Sequence, residues 1–337
     1  MLIMANKFTI KQIAELAGVS KATVSRVLND YAHIRPELRE RVQKVIEETG
    51  YERNTVARLL ATDRSNMIGL LIPSGAKAVF TDPYFPKLTL GISRGANQYD
   101  LTLVLFLFQS EEEGLETVKS IISNGLLDGL IITADRKGDV LLQRLIEAEM
   151  CFVQIGRPEY GEVISYVDTD NFSGGRIATQ HLIDQGYRRI GLIGCNHNLA
   201  ADDRYDGYRQ ALEDNGIAYD PSIVTNGDFS LESGEACMEA LISKDLEAVF
   251  VVSDTMSLGA LRTLRKYNIN VPEDLALMSF DDLPPAIQAD PPLTTIRQPI
   301  EESGFLAVEV LRQLIERPEL APIERVLPTQ LIIRSSV

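Results

Sequence analysis

Near the N-terminus the apolar residues follow a helical period. Ile10, Ile13, Ala14 and Ala17 recur on one helix face, and after a gap of about three residues Val24, Val27 and Leu28 repeat the pattern. Thr9 followed by Gln12 has the form of a capping box opening the first helix. Gly18 closes it, because glycine enters the left-handed region at little steric cost. Ser20 can cap the second helix. A third helix is expected from about Pro36, a favourable first-turn residue, to Thr49, with Leu38, Val42, Val45 and Ile46 inward and Gly50 at its end. Two short helices joined by a tight turn have the spacing of a helix-turn-helix, whose second helix enters the DNA major groove.

From about Asn66 short apolar runs alternate with amphipathic stretches. Strands are expected at 67–72, 101–108, 129–133, 151–155, 189–193, 248–252 and 275–280, and helices between them, as at 112–124 and 174–185. Such alternation predicts parallel sheets covered on both faces, here in two lobes, with any ligand at the carboxyl ends of the strands.

The chain has 337 residues and a net charge of −15, unusual for a protein that approaches nucleic acid. The distribution changes that picture. Residues 1–64 carry 11 Lys and Arg against 8 Asp and Glu, so a basic head precedes a strongly acidic body. The three cysteines, Cys151, Cys195 and Cys237, are widely spaced and odd in number, which argues against a disulfide framework or zinc site and fits a reducing cytosol. No apolar run reaches the length of a membrane helix, and Met1–Met4 is too short for a signal-peptide core. No HExxH, GxSxG or GxxxxGK[ST] motif occurs. The acidic pairs Asp202-Asp203 and Asp281-Asp282 have no nucleophile or metal motif beside them, and Gly191–Gly194 is too weak for a dinucleotide fingerprint. No catalytic residue, metal or cofactor is expected, and an enzyme is disfavoured.

On the second helix Lys21, Ala22, Ser25, Arg26 and Asn29 share the face opposite the apolar one. Arg26 can bind a guanine edge in bidentate fashion, Ala22 can only touch a thymine methyl, and the Thr23 and Ser25 hydroxyls suit phosphates. Residues 9–29, TIKQIAELAGVSKATVSRVLN, closely resemble the DNA-binding headpiece of the LacI/GalR repressor family. The resemblance continues through YFPKLTLGISRGA, LLDGLII, DNFSGG, HLIDQGYRRIGLIG, SDTMSLGALRTLR, VPEDLALMSFDD, PPLTTIRQP and LPTQLIIRSS, and so covers essentially the whole chain. Two departures stand out: Arg35 where the family usually has a Ser or Thr cap, and Glu52-Arg53 where an apolar or basic residue and Pro are usual.

The resemblance implies an α/β fold: an all-α helix-turn-helix headpiece (1–50), a hinge helix and linker (51–65), and a periplasmic-binding-protein-like effector-binding and dimerisation domain (66–337). Its N-subdomain would span about 66–166 and 297–325, and its C-subdomain about 167–296 and 326–337. DNA contacts are assigned to Thr9, Lys21, Ala22, Thr23, Ser25, Arg26 and Asn29, and in the hinge to Asn54, Ala57 and Leu60, the last as a minor-groove wedge. Effector contacts are assigned to Tyr84, Phe85, Arg157, Arg204, Phe229, Ser253, Asp254 and Asp281. An Arg, an Asp and aromatic faces suit a polyhydroxylated ring. Gly156 departs from the family, where many members place an Asp, and Arg157 could replace that contact. The expected protein is a repressor in the cytoplasm, on the nucleoid. It binds a palindromic operator as a homodimer and is controlled by a sugar or oligosaccharide. The alternatives are a purine, nucleoside or sugar-phosphate effector, or a carbohydrate-binding protein without DNA function.

Overall fold

The computed structural model describes residues 8–28, 31, 34–51, 64–73, 75–133, 138–159 and 164–337. They fall into two compact units, Met1–Ser65 and Asn66–Val337.

The first unit contains α1 (Ile10–Ala17), α2 (Lys21–Leu28) and α3 (Pro36–Thr49). The Gln12 amide N–H donates to Thr9 Oγ1 at 3.4 Å, and Gln12 Oε1 accepts from the Thr9 N–H at 2.8 Å, which completes the capping box. Gly18 takes φ 63° and returns its N–H to the Ala14 and Glu15 carbonyls. Ser20 caps α2 by accepting from the Thr23 N–H at 3.1 Å. Arg35 gives α3 no side-chain cap, and Pro36 begins the helix. Ile13, Ala14, Ala17, Val24, Val27 and Val42 form a small buried core.

The second unit begins with β1 (Met67–Leu71), α4 (Gly75–Thr81), α5 (Tyr84–Gln98), β2 (Thr102–Phe106), α6 (Glu111–Asn124), β3 (Gly129–Ile132), α7 (Val140–Glu147), β4 (Phe152–Ile155) and β5 (Tyr166–Thr169). It continues through α8 (Asn171–Asp184), β6 (Ile190–Cys195), α9 (Leu199–Asp214), β7 (Val224–Gly227), α10 (Leu231–Leu241), β8 (Ala248–Val251), α11 (Asp254–Lys266) and β9 (Ala276–Asp281). It ends with α12 (Pro284–Gln288), β10 (Thr294–Arg297), α13 (Ile300–Glu316), β11 (Glu324–Leu327) and β12 (Gln330–Ile332).

The first lobe is built on a parallel sheet of order β11-β5-β4-β3-β1-β2. The second has order β12-β10-β9-β8-β6-β7, parallel except where β12 runs against β10. Each sheet buries its own aliphatic core. The chain crosses between lobes after β5, after β10 and between β11 and β12. These crossings lie a few residues downstream of the boundaries expected at 166, 297 and 325, because ladder pairing carries β5, β10 and β11 on past the apolar pattern. The same cause hid five strands: β5, β7, β10, β11 and β12 are short, polar or exposed, and lack an apolar run.

Helix pairs seal the lobes through glycines. A Cβ on Gly175 of α8 would lie 2.2 Å from the Arg204 carbonyl oxygen of α9, and one on Gly207 would lie 2.1 Å from the Phe172 carbonyl oxygen. That close approach fixes the turn of α9 that carries Arg204.

Candidate functional site

The ends of β3, β4 and β5 in one lobe face those of β6, β7 and β9 in the other across a cavity of about 520 Å³. Ligands of α/β sheets bind at this end of the strands. Tyr84, Phe85, Arg204, Phe229 and Asp281, all expected as effector contacts, line it. Tyr84 and Phe85 open α5 and stand edge to face, ring centroids 5.4 Å apart.

Arg204 sits in the cavity floor, 4% exposed. Its Nε donates to Asn171 Oδ1 at 2.9 Å and its Nη1 to the Val252 carbonyl at 2.6 Å. Nη1 also stands 3.6 Å from Asp281, and the guanidinium lies 3.8 Å over the Phe280 ring. Asn171 in turn donates to Asp168 Oδ1 at 3.3 Å, and Gln298 donates to Asp281 Oδ1 at 2.5 Å. A polar relay thus runs Asp168–Asn171–Arg204–Asp281–Gln298.

Burial pushes the Asp281 carboxyl up to about 7 despite Arg204 beside it, and Asp82 across the cavity adds to the rise. Burial likewise pushes Asp168 up to about 6, with Asp203 adding to it and Arg204 and Arg157 opposing. Asp82 is raised by burial too. Asp228 is held low by the Ser230 hydroxyl. His197, Phe229 and Asp281, all on the cavity wall, have φ of 58°, 67° and 119°. Side chains other than glycine seldom adopt such angles, and they concentrate at binding sites.

Three expected effector residues are not among those lining the cavity, each for a visible reason. Arg157 makes a bidentate bond to Asp203, Nε to Oδ2 at 2.7 Å and Nη2 to Oδ1 at 2.8 Å. Ser253 caps α11 by accepting from the Met256 N–H at 3.2 Å. Asp254 is fully buried and accepts from the Ser279 and Thr295 hydroxyls and, at 2.6 Å, from the Leu283 N–H. Conversely, the sequence reading passed over Thr133, Asp168, Asn171, His197 and Gln298, all on the wall, and Lys77 and Asp82 from the α4–α5 region. The DTDNFSGG stretch held a usable signal for Asp168 and Asn171: polar residues ending a strand just before a helix N-terminus. Asp82 lies in a connection with no pattern of its own.

In the first unit, Lys21, Ala22 and Arg26 are exposed on one face of α2, while Val24 and Val27 are buried on the other. Thr9 and Thr23 take part in the helix caps, Thr23 Oγ1 lying 2.9 Å from Ser20 Oγ. Ser25 is half-buried between the two faces. Asn29, Asn54, Ala57 and Leu60 lie outside the described residues. No described helix is long and apolar enough to cross a membrane.

Comparison with known proteins gives this geometry its context. Residues 9–54 match the family of bacterial regulatory proteins, lacI family, and residues 179–337 match a periplasmic binding protein-like domain. The HTH-type transcriptional regulator CelR of Thermobifida fusca is 38% identical over 333 residues, 97% of this chain and 98% of its own. The ribose operon repressor of Escherichia coli (strain K12) is 31% identical over 318 residues, 93% of this chain and 94% of its own. Among solved structures, a CelR–cellobiose complex superposes with a TM-score of 0.79 at 36% identity, covering 98% of this chain and all of that one. The Lac repressor dimer bound to operator and the anti-inducer ONPF superposes with a TM-score of 0.81 at 26% identity, covering 98% and 99%. With its α/β two-lobed body behind a helix-turn-helix, the chain belongs to the LacI family of bacterial transcriptional regulators.

Proposed function

We propose that this regulator is a cytoplasmic, sequence-specific transcriptional repressor, and that an uncharged sugar or oligosaccharide binding in the cavity controls its operator affinity. The observation that carries the ligand class is the charge of the cavity. Asp82, Asp168, Asp228 and Asp281 face it against Arg204 and Lys77. A phosphate there would meet more carboxylates than cations. Arg157, the residue that favoured a sugar phosphate, is engaged by Asp203. Alternating carboxyl, amide and guanidinium groups suit the paired donors and acceptors of ring hydroxyls, and Phe229 and Tyr84 offer faces for ring C–H groups. The solved CelR complex holds cellobiose, which makes a β-linked glucose disaccharide the first probe.

On this reading residues 1–50 read DNA, 51–65 form the hinge, and 66–337 bind effector and dimerise. Lys21, Ala22 and Arg26 face bases, and Asn29, Asn54, Ala57 and Leu60 complete the contact. The Lac repressor bound to operator is a dimer, and a homodimer on a palindromic site is proposed here. The edge strand β2 exposes Leu105 and α5 exposes Leu90, apolar surface of the kind an interface covers. The matched relatives are regulators, which fits a regulator and not an enzyme.

The test is a thermal-shift screen of cellobiose, glucose, glucose 6-phosphate and adenine, followed by operator binding with each ligand that shifts. A ligand at 100 times its Kd stabilises the fold by about 2.7 kcal/mol, an easily visible shift. Cellobiose or another neutral sugar is expected to shift the melt and change operator affinity. A response to the phosphate or the base alone would overturn the ligand assignment.

A further inference from the structure

We infer that Arg157 and Asp203 form a clamp across the cleft, which holds the two lobes closed over the cavity and positions Arg204 within it. Arg157 follows β4 in the first lobe, and Asp203 lies in the first turns of α9 in the second. The two side chains meet in a parallel two-bond fork at 2.7 and 2.8 Å. That geometry is the most directional an ion pair offers, and it fixes orientation as well as distance.

Both ends of the clamp are anchored. The Gln154 side-chain amide, on a fully buried residue, donates to the Arg157 carbonyl at 3.1 Å, and the Gly156 N–H donates to the Val167 carbonyl at 2.9 Å. Asp203 sits on a helix capped by Asn198 and packed against α8 through Gly175 and Gly207. The neighbours of the clamp line the cavity: Gly156 precedes Arg157 and Arg204 follows Asp203. Relative rotation of the lobes breaks the fork before it disturbs either core, because the fork spans the cleft and each core lies within one lobe. The side chains are 38% and 19% exposed, so the pair is strong enough to bias closure and weak enough to open. This inference rests on the proposed ligand cavity but not on the identity of the ligand.

The chain carries its own reporter. Cys195 is a buried residue on the cavity wall, and Cys151, in the connection between β3 and β4, does not line it. Alkylation of the full-length protein by iodoacetamide, mapped by mass spectrometry, gives the rate at Cys195 relative to Cys151. Asp203→Asn and Arg157→Gln should raise that ratio about two- to fivefold, and the exchanged pair R157D/D203R should restore it. Asp202→Asn removes the same charge one residue away without touching the fork, and should leave the ratio unchanged. Thermal midpoints of all four variants check that each is folded. Titration with cellobiose should show the same ordering, Kd rising about two- to fivefold in the single variants and recovering in the exchange. Equal alkylation in Asp203→Asn and Asp202→Asn, or no recovery in the exchange, overturns the clamp. If cellobiose fails to bind the unmodified protein, the ligand assignment falls, and the ligand-free alkylation series still decides the clamp.

Discussion

Asp281 and Asp282, adjacent at the end of β9, stand in opposite electrostatic settings. Asp281 faces the cavity, where burial raises its carboxyl to about 7. Asp282 turns away from the cavity, accepting from Arg297 Nε at 2.6 Å and from the Arg334 guanidinium. Burial would raise Asp282 as well, but the two guanidiniums outweigh it and hold the carboxyl low. Asp281 binds its proton more tightly folded than unfolded. Its contribution to stability is therefore complete below about pH 4 and is lost as pH rises through about 7. Asp282 has the reverse slope: its contribution is present above about pH 4 and is lost as pH falls below. Asn tolerates the positive φ of both positions. In thermal melts from pH 3 to 8, Asp281→Asn should flatten the decline between about 4 and 7. Asp282→Asn should cost stability at neutral pH, with the deficit shrinking in acid. Parallel profiles for the two variants would contradict this assignment.

Thr133 ends β3 on the cavity wall, and its buried hydroxyl has no hydrogen-bond partner. A buried orphan hydroxyl costs about 1–3 kcal/mol. Thr133→Val should therefore raise the ligand-free melting temperature while weakening ligand binding, and Thr133→Ser should retain binding. A fall in ligand-free stability in the valine variant would show that the hydroxyl is already satisfied.

Gly175 lets α8 and α9 touch. Gly175→Ala puts a methyl into the Arg204 backbone and should destabilise the fold by about 1–3 kcal/mol, as overpacking does. Displacement of Arg204 should weaken ligand binding beyond the loss expected from stability alone. Denaturant titration beside calorimetry separates the two effects.

Phe229 holds φ 67° on the cavity wall and is packed only in part against the core of the second lobe. Phe229→Ala should raise the Kd for a sugar ligand several-fold, consistent with an aromatic contact of about 0.5–1.5 kcal/mol. An unchanged Kd would confine Phe229 to packing.

Arg26 is exposed on α2. Arg26→Ala should cost about 1–3 kcal/mol of operator binding and relax preference at one base position, read against a set of single-base operator variants. Uniform weakening across that set would instead place Arg26 on a phosphate.

Much of this was legible in the sequence because local rules produced it. The capping box at Thr9, the glycine stop at Gly18 and the apolar faces of α1 and α2 each depend on residues within a few positions of one another. The strands that were foreseen carry apolar runs buried on both faces, as β3 and β8 do. Arg204 and Asp281 were singled out through motif resemblance, and the fold brings them within 3.6 Å.

Arg157, Ser253 and Asp254 show where such reading stops. Each has the chemistry to bind a sugar, and each is occupied by a partner distant in sequence or by its own helix end. The sequence by itself determined which segments become helices and buried strands, that the head is basic and the body acidic, and which residue types were present for recognition. These depend on side-chain identity and short-range spacing. Tertiary structure alone decided which of those groups face the cavity and which face one another, and how far burial shifts their protonation. Such outcomes depend on contacts between lobes and between strands that the chain separates by tens of residues, and no local pattern encodes them.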